Sequence, residues 1–160
     1  VDVVADYFKG KALNDYLIEI GGEVRASGIK EGSANWVVGI EKPAGNSDAA
    51  QVIQEKVELK NKSLATSGSS RKYFIKDGIK YSHTIDPSTG YPVQHSLLSV
   101  TVMADDCTAA DAYATAFMVM GMEKARDFLK LHPGMEAYFI YSDSAGNLLH
   151  YKTANFITSK

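Results

Sequence analysis

The sequence predicts an α+β fold with a largely antiparallel sheet. Three observations predict it. Strand-like runs outnumber helical ones, most of them are joined by loops of hairpin length, and a helical period of about 3.6 residues appears only at the start of the chain and after Met103. No internal repeat or low-complexity linker divides the chain, so residues 1–160 read as one domain.

In chain order, Val1, Val4, Ala5, Phe8 and Ala12 recur at helical spacing and predict a short helix from Val1 to about Asn14. Tyr16–Ile20 reads as a strand that meets Gly21-Gly22 and continues as Glu23–Ala26, with Trp36–Ile40 as its neighbour. Pro43, Gly45, Asn46, Ser47 and Asp48 mark a loop before strands over Gln51–Leu59 and Ser63–Thr66, and Thr66–Ser70 reads as a polar turn. Asp77-Gly78 between Tyr73–Lys76 and Ile79–His83 is a strong hairpin signal, because both central positions of the tight turn want positive φ. Asp86–Pro92 is a rigid turn with two prolines, followed by Leu97–Met103, whose alternation predicts a half-buried strand. The period then changes. Ala109–Met120 reads as a helix that stops at Gly121, and Met122–Leu131 as a second that stops at His132-Pro133-Gly134. Glu136–Tyr141 and Asn147–Tyr151 form a final hairpin.

Composition narrows the function classes. The formal charge of −2 and pI near 6.1 leave no basic stripe of the kind that nucleic acid requires. Cys107 is the only cysteine, so no intrachain disulfide forms. Neither a C-x-x-C pair nor an H-E-x-x-H helix points to zinc, so any metal is expected on oxygen ligands. No run approaches the roughly 20 apolar residues of a membrane-spanning helix. Val1 is not an initiator residue, and the first helical pattern has no cap before it, so the chain is read as a piece of a longer one.

Three constellations can carry chemistry. In Ser82-His83-Thr84-Ile85-Asp86-Pro87 an imidazole lies three residues before a carboxylate, a pair that can orient a general base or can be a structural turn contact. Asp111 and Thr115, four apart, share a helix face and can offer oxygens to a hard cation such as Mg²⁺. Thr108-x-x-Asp111 equally has the form of a capping box. Gly21-Gly22-Glu23 after a strand lets backbone approach a ligand or simply makes a tight bend, and Ser67-Gly68-Ser69 is a similar candidate beside an ordinary turn. His95, His132 and His150 have no partner at informative spacing and read as surface or helix-end residues; Met118, Met120 and Met122 read as core.

Taken together, these segments resemble the carboxy-terminal half of the ApbE family of FAD:protein FMN transferases, formerly called thiamine-biosynthesis lipoproteins. The resemblance rests on Tyr16–Glu23, Ala65–Gly68, His83–Pro92, and Ser99–Val102 followed by Ala110-Asp111-Ala112 and Ala114-Thr115-Ala116. It implies an ApbE-like fold, with Asp111 and Thr115 in a magnesium site beside the FAD diphosphate. It also implies His83 as base with Asp86, and FAD contacts from Gly21, Gly22, Glu23, Ser67, Gly68, His83 and Thr84. The implied reaction transfers FMN from FAD to a threonine or serine hydroxyl of an acceptor protein and releases AMP; with water as acceptor it hydrolyses FAD. Ser88 stands where many relatives carry a basic residue, so no cationic contact is expected there. Relatives also carry an amino-terminal half, including a further metal ligand, before the position of Val1, so this fragment alone is expected to bind FAD weakly and transfer little. Kinship further implies an extracytoplasmic, lipid-anchored bacterial protein. Two rival readings are a flavin-binding domain without turnover and a serine hydrolase using Ser67 or Ser69 with His83 and Asp86, although no G-x-S-x-G elbow is present.

Overall fold

The computed structural model describes residues 1–32, 34–43, 50–69, 73–76 and 79–159. Helix α1, Asp2–Gly10, is shorter than the predicted Val1–Asn14. It closes in a Schellman motif: Ala12 takes the left-handed conformation at φ 58°, Leu13 N–H donates to Phe8 O (3.0 Å) and Ala12 N–H to Lys9 O (3.1 Å). β1 (Tyr16–Ile20) and β2 (Glu23–Ser27) form a hairpin around Gly21 and Gly22, at φ 74° and 107°, conformations that favour glycine.

β3 (Trp36–Glu41) does not join this hairpin as predicted. It pairs with β4 (Ile53–Leu59) in a separate antiparallel ribbon, Trp36 opposite Leu59. The Trp36 indole N–H donates to Ser27 O (3.0 Å), tying the ribbon to the end of β2, and Ile40, Val57 and Leu59 are buried. β5 (Ser63–Gly68) extends through the segment read as a polar turn, because β10 (Leu97–Ala104) pairs with it as far as Gly68. Between them lie the antiparallel pairs β6 (Tyr73–Lys76) with β7 (Ile79–Ser82) and β8 (Ile85–Asp86) with β9 (Tyr91–Pro92). The predicted Asp77-Gly78 turn and loop residues 44–49 lie outside the described residues.

After β10 come helix α2 (Cys107–Leu131), β11 (Glu136–Ser142) and β12 (Leu148–Lys152). The principal sheet is antiparallel in the order β1-β2-β5-β10-β11-β12. Its two faces have separate cores. Val24, Leu64, Met103, Tyr138 and Ile140 meet the β3–β4 ribbon and Phe156 on one, while Val100, Val102 and Phe139 meet Ala114, Phe117, Met118 and Ala125 of α2 on the other. This explains why β10 is buried at nearly every position rather than alternating: a central strand covered on both faces has no solvent side.

α2 runs through both predicted helices, but Gly121 at φ 77°, ψ 170° is non-helical and kinks it at the expected stop. Its amino end is capped by Asp106, which accepts from Ala109 N–H (2.7 Å), not by the predicted Thr108–Asp111 box. Thr108 is engaged elsewhere. Its N–H and hydroxyl donate to Asp2 Oδ2 (2.9 and 2.8 Å), and Asp2 Oδ1 accepts from Cys107 N–H (3.0 Å) and Arg25 (2.6 Å). The carboxylate that starts α1 thus satisfies donors at the start of α2, a contact across the sequence that no local pattern contains.

Candidate active site

The end of β5 meets α2 at a polar contact. Residues 65 and 67 of β5 face the helix, so Ser67 reaches α2 while Thr66, on the opposite face, bonds Thr101 of β10 at 2.8 Å. Ser67 Oγ lies 2.8 Å from Thr115 Oγ1. Asp111 is one turn earlier on the same helix face, about 6 Å along the axis, and is exposed, as is Thr115. The cap at Asp106 leaves this carboxylate outside the helix start, so the structural reason for Asp111 offered by the sequence does not hold.

Among the described residues, no group of three or more His, Cys, Asp or Glu side chains gathers as a metal cluster. Asp111 and Thr115, with Ser67 beside them, present oxygens only. That donor set suits a hard cation that keeps several waters or takes further ligands from elsewhere.

The second group lies at the Gly21-Gly22 turn. Gly21, Gly22, Thr66, Gly68 and Ser99 line a cavity of about 550 Å³ between the principal sheet and the β3–β4 ribbon, whose Gly39, Glu41, Lys42 and Ile53 form the other wall. Ser99 is only 5% exposed, and its Oγ has no hydrogen-bond partner among the described residues. A buried hydroxyl left unpaired costs roughly 1–3 kcal/mol, which a polar ligand atom would offset. Glu23 is half-buried and folds back on the turn: its Oε2 lies 3.0 Å from where a Cβ on Gly21 would stand.

The third group follows β7. His83 is exposed one residue beyond the strand, and Thr84 is held by both neighbours, its N–H donating to Ser82 Oγ (3.0 Å) and its carbonyl accepting from Val93 N–H (3.0 Å). Asp86 Oδ1 accepts from Ser88 Oγ–H (2.7 Å) and Ser88 N–H (2.8 Å). Those two bonds, side chain first, hold its carboxyl below the usual aspartate value. Ser88 therefore has a role in the turn. Ser82, adjacent to His83, and Ser69, adjacent to Gly68, line one further cavity, so the His83 segment lies beside the end of β5.

The ApbE family pattern matches residues 1–139. The chain belongs to the ApbE family. It is 44% identical over 124 residues to the FAD:protein FMN transferase of Vibrio cholerae serotype O1, covering 78% of this chain and 36% of that one. The FAD:protein FMN transferase of Treponema pallidum is 35% identical, covering 89% and 41%. Among solved structures, the flavin transferase ApbE from Vibrio cholerae superposes with a TM-score of 0.82 at 36% identity, covering 98% of this chain and 48% of that one. The apo flavinyl transferase ApbE of Pseudomonas stutzeri gives 0.79 at 38% identity, with 96% and 46% covered. The chain thus has the ApbE architecture and spans under half the length of these ApbE relatives.

Sequence reasoning named the three groups but missed Asp2, the Asp106 cap and Ser99. Asp106 was legible, since aspartate directly before a helical run is a strong cap. Asp2 and Ser99 were not, because their roles come from strands and helices distant in sequence.

Proposed function

We propose that this chain is the carboxy-terminal part of an FAD:protein FMN transferase, and that its residues hold FAD across the end of β5. The observation that carries this reading is the Ser67–Thr115 contact beside Asp111, at the strand end where Gly68 lines the cavity with the unpaired Ser99 hydroxyl. Gly21, Gly22 and Gly68 allow a ring or phosphate to approach backbone, Glu23 supports their turn, and Ser67 offers a hydroxyl. Asp111 and Thr115 would hold Mg²⁺, which when bound supplies charge neutralisation at the diphosphate.

In the reaction, a threonine or serine oxygen of the acceptor attacks the FMN-side phosphorus. The bond from that phosphorus to the bridging oxygen breaks, and AMP leaves with that oxygen. The acceptor's hydroxyl proton is lost to His83, exposed at the end of its hairpin, while the Asp86–Ser88 turn and the backbone bonds of Thr84 fix the segment that carries it. Water in place of the hydroxyl gives FMN and AMP. The part of the relatives' length that this chain does not span would complete the FAD cleft, and kinship supports a lipid-anchored, extracytoplasmic setting. Globomycin-sensitive processing of the full-length protein, with its retention in the membrane fraction, is expected in that setting, and a full-length protein recovered unprocessed in the cytosolic fraction would contradict it.

FAD titration by calorimetry, with and without Mg²⁺, tests the binding half of the reading. Binding and metal are linked, so Mg²⁺ is expected to tighten FAD and FAD to tighten Mg²⁺ by the same factor, with the effect lost in Asp111→Ala. Equal FAD affinity with and without Mg²⁺ in the unaltered protein would refute the metal assignment.

A further inference from the structure

The loop between β9 and β10 touches α2 where that helix breaks. His95 Nε2 lies 2.7 Å from Met118 O, and a carbonyl only accepts, so Nε2 carries the proton and donates. In a continuous helix Met118 O would accept from the N–H four residues on, at Met122. Gly121, at φ 77° and ψ 170°, turns the chain out of helical geometry before that residue, so the carbonyls of the turn ahead of it end a helix and need partners from elsewhere. His95 supplies one, as a histidine near a helix carboxyl end is suited to do. Its ring sits against the break itself, since a Cβ on Gly121 would stand 3.5 Å from His95 Cδ2.

The bond joins two segments that the transfer needs together. One is the half of α2 that carries the proposed metal ligands, where Asp111, Thr115 and Met118 follow one another over about 10 Å of helix. The other is the stretch from 83 to 96, which starts at the proposed base, His83, and passes through the β8–β9 turn to His95. Ser82, directly before His83, borders the same cavity of about 410 Å³ as His95, so the two ends of this stretch lie close together. The stretch is tied within itself by Val93 N–H donating to Thr84 O (3.0 Å) and by Ser88 Oγ–H donating to Asp86 (2.7 Å). Leu97, two residues after His95, is buried in the same core as Met118. His95 itself is exposed, so its side chain contributes a directional bond more than buried surface.

We propose that His95 is a positioning residue: by holding Met118 O it clamps the stretch that carries His83 to the half of α2 that carries Asp111 and Thr115, and so sets the distance between base and metal. This rests on the transferase reading above. It adds the contact that keeps the two parts of that site in register.

The test compares the full-length protein with His95→Ala, which removes the donor, and His95→Gln, whose side-chain amide N–H has comparable reach. With Mn²⁺ in place of Mg²⁺, paramagnetic broadening of the His83 ring signals reads the base-to-metal distance without turnover. Broadening of His83 is expected in the unaltered protein, to be altered in His95→Ala at unchanged Mn²⁺ affinity, and to return in His95→Gln. In FMN transfer, His95→Ala is expected to lower kcat by about tenfold to a hundredfold with the KM for FAD unchanged, and His95→Gln to restore it. In a His83→Ala background, where no base is left to place, His95→Ala should cost nothing further. Unchanged broadening and kcat in His95→Ala, a loss that His95→Gln does not restore, or a full further loss in the His83→Ala background would overturn the assignment. Failure of the metal reading is seen separately, as Mn²⁺ leaving His83 unbroadened in the unaltered protein, and would remove this proposal with it.

Discussion

Asp2 and Asp111 show how differently two carboxylates of one chain are used. Burial raises the Asp2 pKa, but hydrogen bonds from Cys107 N–H, Arg25 and Thr108 outweigh it and hold the carboxyl far below its ordinary value. A depressed carboxylate stabilises the fold above its unfolded pKa of about 4, and that stability is lost as pH falls through this value toward the folded one. Asp2→Asn is therefore expected to cost about 1–2 kcal/mol at pH 7, less at pH 3 where the loss has begun, and least as pH approaches the folded value, measured by urea unfolding across this range. Asp111, exposed and outside the cap, should behave in the opposite way. Asp111→Ala is expected to leave stability within about 0.5 kcal/mol while removing Mg²⁺-dependent function, which separates a site residue from a structural one. The type and spacing of Asp111 and Thr115 were legible in the sequence. That Ser67 joins them was not, because the contact crosses from strand to helix.

Within single elements, local chemistry predicted the breaks better than the partners. Gly121 was legible as a stop, and the structure gives the reason: φ 77° with ψ 170° is a region essentially reserved for glycine. Gly121→Ala is expected to destabilise by about 1–3 kcal/mol and, by moving the kink, to disturb the His95–Met118 bond, visible as a changed His95 ring signal. Ala12 is the converse case. It holds the left-handed position that ends α1, so Ala12→Gly should stabilise by about 0.5–1 kcal/mol, read as a higher unfolding midpoint at unchanged denaturant slope. The β1 and β2 segments were read at nearly their observed bounds but as one strand continuing past Gly21-Gly22, where the two glycines at positive φ instead reverse the chain into a hairpin. The β3–β4 ribbon was misplaced because alternation identifies a strand but not the sheet to which it belongs.

For the whole molecule, the α+β class and antiparallel sheet followed from hairpin-length loops, but the two-sided burial of β10 did not. Its residues are apolar enough for either one covered face or two, and only the helix and ribbon together decide. The α2-side core is built on Phe117, fully buried among Phe128, Phe139 and Tyr113, and Phe117→Ala is expected to cost about 3–5 kcal/mol in chemical denaturation. The same layering places the Gly21–Ser99 cavity and the Ser67–Thr115–Asp111 strip on opposite faces of one sheet, meeting at the end of β5. A ligand with a ring at one end and phosphates in the middle is suited to such an edge. The most direct test is AMP release from FAD and Mg²⁺ in the full-length protein, with and without an acceptor peptide, for the unaltered protein, Asp111→Ala and His83→Ala. The expected result is AMP release by the unaltered protein in step with FMN-modified peptide. Both should be abolished in Asp111→Ala, and acceptor-dependent release reduced by a hundredfold or more, on the order of a general base's contribution, in His83→Ala. FAD bound without AMP released under any of these conditions would contradict the transferase reading and leave a flavin-binding domain in its place.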